Sequence, residues 1–150
     1  MRPDFPPIED LMPHRGPVAL LECILNHDAQ HTEARIRIDD QQWQKRSDGS
    51  VASWLALEYM AQCIAAHESL LAIDEGRPPP TGFLVAASGL RLEVLVLPAG
   101  SILRVRTERV RGRPGLGALS HQCSLLAAHA DSGEESLVAE GRLSVSTPRD

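Results

Sequence analysis

The chain has 150 residues, a formal net charge of -5 and an apolar content of 43%. This length suits one domain with a real hydrophobic core, and the apolar content is ordinary for a globular protein. The negative charge argues against non-specific nucleic-acid binding. No apolar run is long enough to span a membrane, and the N-terminus has no apolar signal core. We therefore expect a cytoplasmic protein without membrane contact.

The three cysteines, Cys23, Cys63 and Cys123, are odd in number and far apart. They form no CxxC pattern and have no Cys/His spacing of the kind that binds zinc. Neither a disulfide framework nor a metal site is indicated, and we expect no cofactor.

The predicted elements begin with an irregular, proline-rich arm at residues 1–16, with one helical turn at residues 8–12. A helix is predicted from residue 51 to about residue 73, with Ser50 as its N-cap and Asp74-Glu75-Gly76 as its stop. Six strands are predicted at residues 18–25, 32–38, 83–96 with a bend near Gly89, 101–111, 117–129 and 137–146.

Two strands, one long apolar helix and four further strands favour an α+β fold. A helix that is apolar on nearly every side must be packed against other parts of the protein on every side. We therefore expect a curved antiparallel sheet of about five to six strands wrapped around one central helix. No internal repeat or linker divides the sequence, so residues 1–150 are predicted to form a single domain.

Glu58 is the one charged residue in the apolar stretch of residues 51–66, VASWLALEYMAQCIAA. A carboxyl group in such a setting must be paired, hydrogen-bonded, directed at a cavity or held neutral, because burying an isolated charge is costly. General acid-base catalysis uses a carboxyl group of this kind. The alternative is that Glu58 lies on the one stripe of the helix that meets water or a partner subunit.

Three ordered motifs resemble the FabZ-type 3-hydroxyacyl-(acyl-carrier-protein) dehydratases. Residues 11–18, LMPHRGPV, resemble the LPHRYPFLL opening of that family, and residues 58–62, EYMAQ, resemble its EAMAQ helix segment. Residues 90–100, LRLEVLVLPAG, resemble its LRFRxPVLPGD hairpin. The combination of HRGP with WLALEYMAQ is similar to the FabZ-like dehydratases of aryl-polyene or xanthomonadin-type pigment pathways. The resemblance implies a hot-dog fold and a homodimer, or a heterodimer with another hot-dog subunit.

The resemblance also implies a dehydration reaction on an acyl carrier protein. A base would remove the C2 proton of a 3-hydroxyacyl thioester, and an acid would protonate the C3 hydroxyl as it leaves. Glu58 matches the family's acid, which an apolar pocket would keep protonated near neutral pH. The family's backbone amide donors, which stabilise charge on the thioester carbonyl, correspond to Ser53 and Trp54.

The sequence departs from the family at the catalytic histidine of its GHFPG motif, where Gln44 stands, fourteen residues before Glu58. We predict that His14 is the base, because the prolines on either side of its segment restrict its backbone and an imidazole titrates near neutral pH. The alternative is a structural role for His14.

Three other histidines are expected to lie away from Glu58, whereas His121 and His129 lie on a late strand and could face either side. His27 and His31 flank a predicted turn, where exposure to solvent is expected. His67 follows Glu58 by nine residues and so lies on the opposite side of the helix.

Four further residues are predicted to contact an acyl chain, with ordinary core packing as the alternative. They are Trp43, Tyr59, Gln62 and Phe83.

A second group is predicted to dock the acidic acyl carrier protein, because basic clusters attract anionic partners. This group is Arg104, Arg106, Arg109 and Arg111. The alternative is a solvated strand face on which charges discourage aggregation.

Three functions remain open from the sequence. The first is dehydration of a 3-hydroxyacyl thioester to the 2-enoyl thioester in polyene or fatty-acid-like biosynthesis. The second is thioester hydrolysis on the same fold, with Glu58 as base or nucleophile. The third is a catalytically silent subunit of a heteromeric dehydratase or an acyl-binding partner, which the missing GHFPG histidine favours.

Overall fold

The computed structural model describes residues 4–12, 19–39, 45–78, 83–111, 118–129 and 131–146, without the side chains of residues 83–85 and 111. In chain order the elements are β1 (Cys23–His27), β2 (His31–Arg37), β3 (Val51–Ala52), α1 (Ala56–Asp74), β4 (Phe83–Leu92), β5 (Val96–Leu97), β6 (Ile102–Arg111), β7 (Ala118–Ala128) and β8 (Glu135–Ser146).

Six strands form one antiparallel sheet in the order β1-β2-β6-β7-β8-β4, and β3 pairs with β5 in a separate ribbon. α1 packs against β2, β6, β7 and β8. Burial alternates along β2, where Thr32, Ala34 and Ile36 face the core. In a strand successive side chains point to opposite faces, so every second residue of β2 can pack against the helix. The predicted α+β fold, a curved sheet around one central helix, is confirmed.

α1 is buried along most of its length, with twelve of its nineteen residues removed from solvent. Tyr59, Met60 and Ile64 from the helix pack with Leu103 and Leu125 from the sheet in one hydrophobic cluster. Each large apolar side chain removed from water in this way stabilises the fold by about 1.5–3 kcal/mol. The sheet and the helix therefore hold the residues of the first helical turn in place.

The helix begins at Ala56 and not at residue 51 as the sequence predicts. Val51 pairs with Leu97 and Ala52 pairs with Val96, so the chain is extended here and enters α1 through a short 3-10 turn, Ser53–Leu55. Pairing with a segment more than forty residues away overrides the local helix propensity. The predicted N-cap is also wrong, because the Ser50 hydroxyl donates to Asp48 Oδ1 at 2.6 Å.

The strand predicted at residues 83–96 is two strands. β4 pairs with β8, whereas β5 turns away to pair with β3. The predicted irregularity near Gly89 is confirmed: Gly89 has φ +61°, and the register with β8 shifts between Ser88 and Arg91. A left-handed φ suits glycine because it lacks a Cβ.

The N-terminal arm contacts α1. The predicted helical turn is present as a 3-10 turn at Ile8–Asp10, and Leu11 and Met12 after it are buried. The Ser69 hydroxyl donates to the Leu11 carbonyl and so fixes the arm on the helix.

The first strand runs from Cys23 to His27, later than predicted. Asp28 Oδ1 accepts the N–H groups of Gln30 and His31 at 2.8 and 2.7 Å. An Asp side chain bonded to backbone groups two and three residues ahead stabilises a turn. These bonds place the turn after His27, and they lower the pKa of Asp28 to about 2.

Candidate functional site

Glu58 lies in the first turn of α1 and is half-buried. Its neighbours Tyr59 and Met60 are fully buried in the core, so the backbone that carries Glu58 is fixed by packing. The N-terminal turn of a helix presents N–H groups and the positive end of the helix dipole, an environment that attracts negative charge. The predicted acid is thus on a rigid element. It lies at the helix end where free N–H groups can stabilise negative charge.

Gln62 connects Glu58 to the backbone of the N-terminal segment. Its Nε2 donates to Glu58 Oε1 at 2.9 Å, and its Oε1 accepts the Leu20 N–H at 2.9 Å. Gln62 is 1% exposed. Residues four apart in a helix lie on the same face, which explains why Gln62 reaches Glu58. The sequence predicts that Gln62 contacts substrate, and this stays a prediction.

The predicted amide donors lie at the entrance to α1. The Ser53 N–H donates to the Leu95 carbonyl at 3.0 Å, so it is engaged by the ribbon of β3 and β5. Trp54, which follows Ser53, is 61% exposed, and Leu95, which accepts the Ser53 N–H, is 89% exposed. An amide role for Ser53 requires the bond to Leu95 to open, whereas Trp54 places its backbone beside an exposed surface. Both assignments stay predictions.

The predicted acyl-contacting residues are only partly within the described structure. Tyr59 is fully buried, and burial raises the pKa of its phenol well above the usual range. Trp43 and the side chain of Phe83 lie outside the described residues. A direct contact between Tyr59 and an acyl chain stays a prediction.

The predicted base, His14, lies outside the described residues, as does Gln44 at the position of the family's histidine. The described ends of the segment that contains His14 are both bonded to α1. Leu11 accepts a bond from Ser69, and Leu20 donates to Gln62. The assignment of His14 as the partner of Glu58 stays a prediction.

The expectation for His27 is wrong, because the side chain of this residue is 8% exposed and its Nδ1 lies 2.8 Å from Thr32 Oγ1. The first strand continues to His27, two residues further than predicted, and this places the ring against α1. His31 is partly exposed, at 29%. His67 contacts Thr32 and lies in the second half of α1, away from the turn that carries Glu58.

The four arginines predicted to bind a carrier protein do not lie on one face. Arg104 pairs with Glu33 at 2.7 Å and with Glu135 at 2.9 Å, on the face of the sheet away from α1. Arg109 points to the opposite face, where it forms a partly buried ion pair with the buried Glu68.

The side chain of Arg106 is 42% exposed, against 29% for Arg104 and 16% for Arg109. The side chain of Arg111 lies outside the described residues. A carrier-protein contact through these arginines stays a prediction.

An exposed apolar surface near the entrance to α1 was not predicted. We call it the β4–β5 surface; its large side chains are exposed by 36% or more, and it comprises Trp54, Leu90, Leu92, Val94, Leu95 and Val96. β4 is also the last strand of the sheet, so its outer edge has no strand beside it among the described residues. In the sequence, the largely apolar run EVLVL at residues 93–97 could have indicated this surface.

Neither a metal site nor a membrane-spanning helix is found in the described part of the chain. No group of three or more His, Cys, Asp or Glu side chains there is arranged to hold a metal ion. No described helix is both long and apolar enough to cross a bilayer.

The family model named ApeP-like, described as ApeP dehydratase, matches residues 6–150. The chain belongs to the ApeP-like family. The prediction of a dehydratase is thereby confirmed at the level of the family. No curated protein has significant sequence similarity to this ApeP-like chain.

Solved structures share the fold of this ApeP-like protein. The dehydratase heterocomplex ApeI:P from Xenorhabdus doucetiae is similar with a TM-score of 0.86 and 20% identity, over 98% of this chain and 94% of that chain. AziG from S. sahachiroi gives a TM-score of 0.61 at 14% identity, over 89% and 94% of the two chains. A hypothetical thioesterase with coenzyme A from Streptococcus pneumoniae gives 0.57 at 13% identity, over 85% and 87%. At these identities the likeness establishes the fold alone.

Proposed function

We propose that this protein is a hot-dog subunit of a dehydratase that converts a 3-hydroxyacyl thioester on an acyl carrier protein to the 2-enoyl thioester. The observation that carries the proposal is the carboxyl group of Glu58, held by Gln62 in the first turn of a buried helix. Membership of the ApeP-like dehydratase family supports the reaction type.

In the proposed reaction Glu58 is the acid that protonates the departing hydroxyl on C3. A base takes the proton from C2, the C2–C3 double bond forms and water leaves. The bond from Gln62 Nε2 to Oε1 fixes the orientation of the carboxyl group that donates the proton. Gln62 itself is fixed by the Leu20 backbone, and this reduces the reorganisation needed in each turnover.

The base in this proposal is His14. Its segment is flanked by Leu11 and Leu20, which are bonded to α1 at Ser69 and Gln62. Leu20 shares the Gln62 side chain with Glu58, so the carboxyl group and the end of the His14 segment are coupled through one amide. The backbone N–H of Trp54 at the entrance to α1 would stabilise the charge on the thioester oxygen.

The proposed oligomer pairs this chain with a second hot-dog subunit across the β4–β5 surface. Edge strands with exposed apolar side chains favour association with another chain, and soluble monomers rarely leave such patches open. The similar structure from Xenorhabdus doucetiae is by its name a dehydratase heterocomplex, ApeI:P. The partner here is either an identical chain or another hot-dog chain.

The test is conversion of a 3-hydroxyacyl thioester on an acyl carrier protein by the purified protein, followed by mass spectrometry. Loss of one water with retention of the thioester supports dehydration. Glu58→Gln is expected to abolish this conversion and His14→Gln to reduce it at least about a hundredfold, the usual contribution of an acid or base. His129→Gln serves as control, because His129 is exposed. Full activity of the Glu58→Gln variant would refute the proposal.

A catalytically silent role is the second candidate. Gln44 stands at the position of the catalytic histidine in the FabZ-type dehydratases that the sequence resembles. In that case the purified protein alone leaves the thioester unchanged, and activity appears only after addition of a copurifying hot-dog subunit that has its own histidine. Release of free acid without an enoyl product would instead select thioester hydrolysis, the third function considered from the sequence.

A further inference from the structure

A buried polar cluster joins the second half of α1 to the sheet, away from Glu58. We call it the histidine cluster, and it consists of His27, Thr32, His67, Thr107 and His121. Thr32 Oγ1 lies 2.8 Å from His27 Nδ1 and 2.7 Å from His67 Nδ1. The His67 ring meets the His27 ring edge-on at 5.3 Å and the His121 ring at 5.6 Å. Thr107 Oγ1 lies 2.9 Å from His121 Nδ1. The cluster therefore spans β1, β2, α1, β6 and β7.

The hydrogen bonds within the cluster are best satisfied when the rings of His27 and His67 are neutral. The Thr32 hydroxyl carries one proton, so it donates to one of the two Nδ1 atoms beside it and accepts from the other. If His27 and His67 are both protonated, both Nδ1–H groups face the same oxygen, and the hydroxyl proton loses these acceptors. Within the described structure, the Nε2 atoms of His67 and His121 are buried without a hydrogen-bond partner. A proton added to His67 Nε2 therefore has no hydrogen-bond acceptor among the described residues.

The carboxyl groups around the rings attract a further positive charge only weakly, because one is already paired and the other is exposed. Glu68 on α1 is the buried anion of this region, and the Arg109 guanidinium from β6 is already paired with it. His121 Nε2 on β7 lies 3.4 Å from Glu68 Oε1. At the outer end of the cluster, Asp74 lies 3.8 Å from His27 Nε2, and its side chain is 70% exposed.

The remaining titratable groups are thiols in the interior and ion pairs at the surface. Burial raises the pKa of Cys63 well above its usual range and that of Cys123 to about 12, so both thiols are neutral. Asp28 and Glu108 lie next to His31 at the surface, where water screens them.

We propose that the histidine cluster is an acid-sensitive lock, which keeps the second half of α1 docked on the sheet while the rings of His27 and His67 are neutral and releases it when these two rings take up protons. Burial, the neighbouring rings and Arg109 together outweigh the attraction of Glu68 and lower the pKa of His67 to about 4. Burial also lowers the pKa of His27.

The sign of the pH dependence follows from these shifts. A histidine released to solvent titrates near 6.5, so the released form binds more protons than the docked form between about pH 4 and about pH 6.5. The docking free energy is complete above about pH 6.5 and falls as the pH falls through this range. The first half of α1, with Glu58 and Gln62, lies outside the cluster.

Hydrogen exchange of the full chain at about pH 7.5 and about pH 5, corrected for the intrinsic exchange rate, tests the lock. We expect protection of residues 66–74 to fall by about tenfold or more at the lower pH, while residues 56–62 keep theirs. Simultaneous loss of protection in both halves of α1 and in the sheet would overturn the proposal, because it would mean global unfolding.

His67→Gln provides the matched test, because an amide can bond to Thr32 but does not titrate. Its pH-dependent loss of protection should be smaller than that of the wild type, whereas His129→Gln, at an exposed position, should retain the full effect. NMR of the histidine rings in the wild-type protein keeps the test decisive if His67→Gln does not fold. Titration of His67 near pH 6.5 without loss of protection would contradict the lock.

Discussion

Glu58 and Gln62 lie one helical turn apart, and the Gln62 Nε2 donates to Glu58 Oε1 at 2.9 Å. The amide orientation is determined by the other end of the group, because the Leu20 N–H donates to Gln62 Oε1 at 2.9 Å. Rotating the amide by 180° would set N–H against N–H at Leu20 and oxygen against oxygen at Glu58. The backbone of the N-terminal segment thus determines which group faces the carboxyl.

Replacing Gln62 by Leu is expected to lower kcat for dehydration by about tenfold or more, because the Glu58 carboxyl group loses its positioning bond. It should also destabilise the protein by about 1–3 kcal/mol, since a buried Leu20 N–H loses its acceptor. Steady-state kinetics and urea unfolding measure the two effects. Gln122→Leu on the exposed face of β7 is the control and should change neither. A Gln62→Leu variant with unchanged kcat would remove Gln62 from the positioning role.

Introducing a charge at Leu95 is expected to dissociate the proposed oligomer. Leu95 is 89% exposed on the β4–β5 surface, and burying a leucine against a partner contributes about 1.5–3 kcal/mol. Leu95→Asp should therefore weaken association by about tenfold or more, as measured by sedimentation over a dilution series. Val110→Asp, at a residue that is 42% exposed on β6, is the control. Equal dissociation by both variants would argue against the β4–β5 surface.

Charge reversal at Arg106 tests the predicted contact with an acyl carrier protein. Arg106 is the more exposed of the described arginines of β6, and Arg106→Glu should weaken carrier-protein binding by about fivefold at low salt. Arg77→Glu is the matched control, since that side chain is 40% exposed at the end of α1. Titration calorimetry at two salt concentrations measures the effect. Binding that neither charge reversal nor salt alters would exclude an electrostatic contact through β6.

The ion pair of Glu68 and Arg109 should be more important for stability than the surface pairs. The pKa of Glu68 is lowered, because the nearby His121 ring and the Arg109 guanidinium outweigh the effect of burial. Arg109→Met leaves Glu68 buried without this partner and should cost about 3 kcal/mol of unfolding free energy.

In the double variant Glu68→Gln with Arg109→Met, the loss should be smaller than the sum of the single losses by about 1.5 kcal/mol, as a double-mutant cycle in urea measures. Arg35→Met removes the exposed pair with Glu22 and should cost less than about 1 kcal/mol. Additive losses in the cycle would mean that Glu68 and Arg109 are not coupled.

The faces on which the arginines of β6 lie could have been predicted from their spacing in the sequence. Arg104 and Arg106 are two residues apart and share a face, whereas Arg109 follows at an odd interval and points to the core. Strict alternation along a strand predicts this separation, because residues at odd intervals point to opposite faces. Grouping all four arginines by charge alone missed this distinction.

The burial of His27 could not be predicted from the sequence. An isolated histidine beside a turn is ordinarily solvated, and the partners that bury it, Thr32 and His67, come from a neighbouring strand and from α1. Its burial depends on the turn bonds of Asp28, which place the start of the turn after His27 and the ring over the helix.

The order and kind of most elements, the central helix, and Glu58 as the one acid in the apolar first half of that helix could be predicted from the amino-acid sequence. Hydrophobic periodicity and composition are local properties, and they decide these features. Three features became apparent only in the folded chain: α1 begins at Ala56, Gln62 is bonded to Leu20, and the β4–β5 surface is exposed. These features depend on contacts between segments far apart in the chain, whose free energies override local preference and leave no periodic pattern in the sequence.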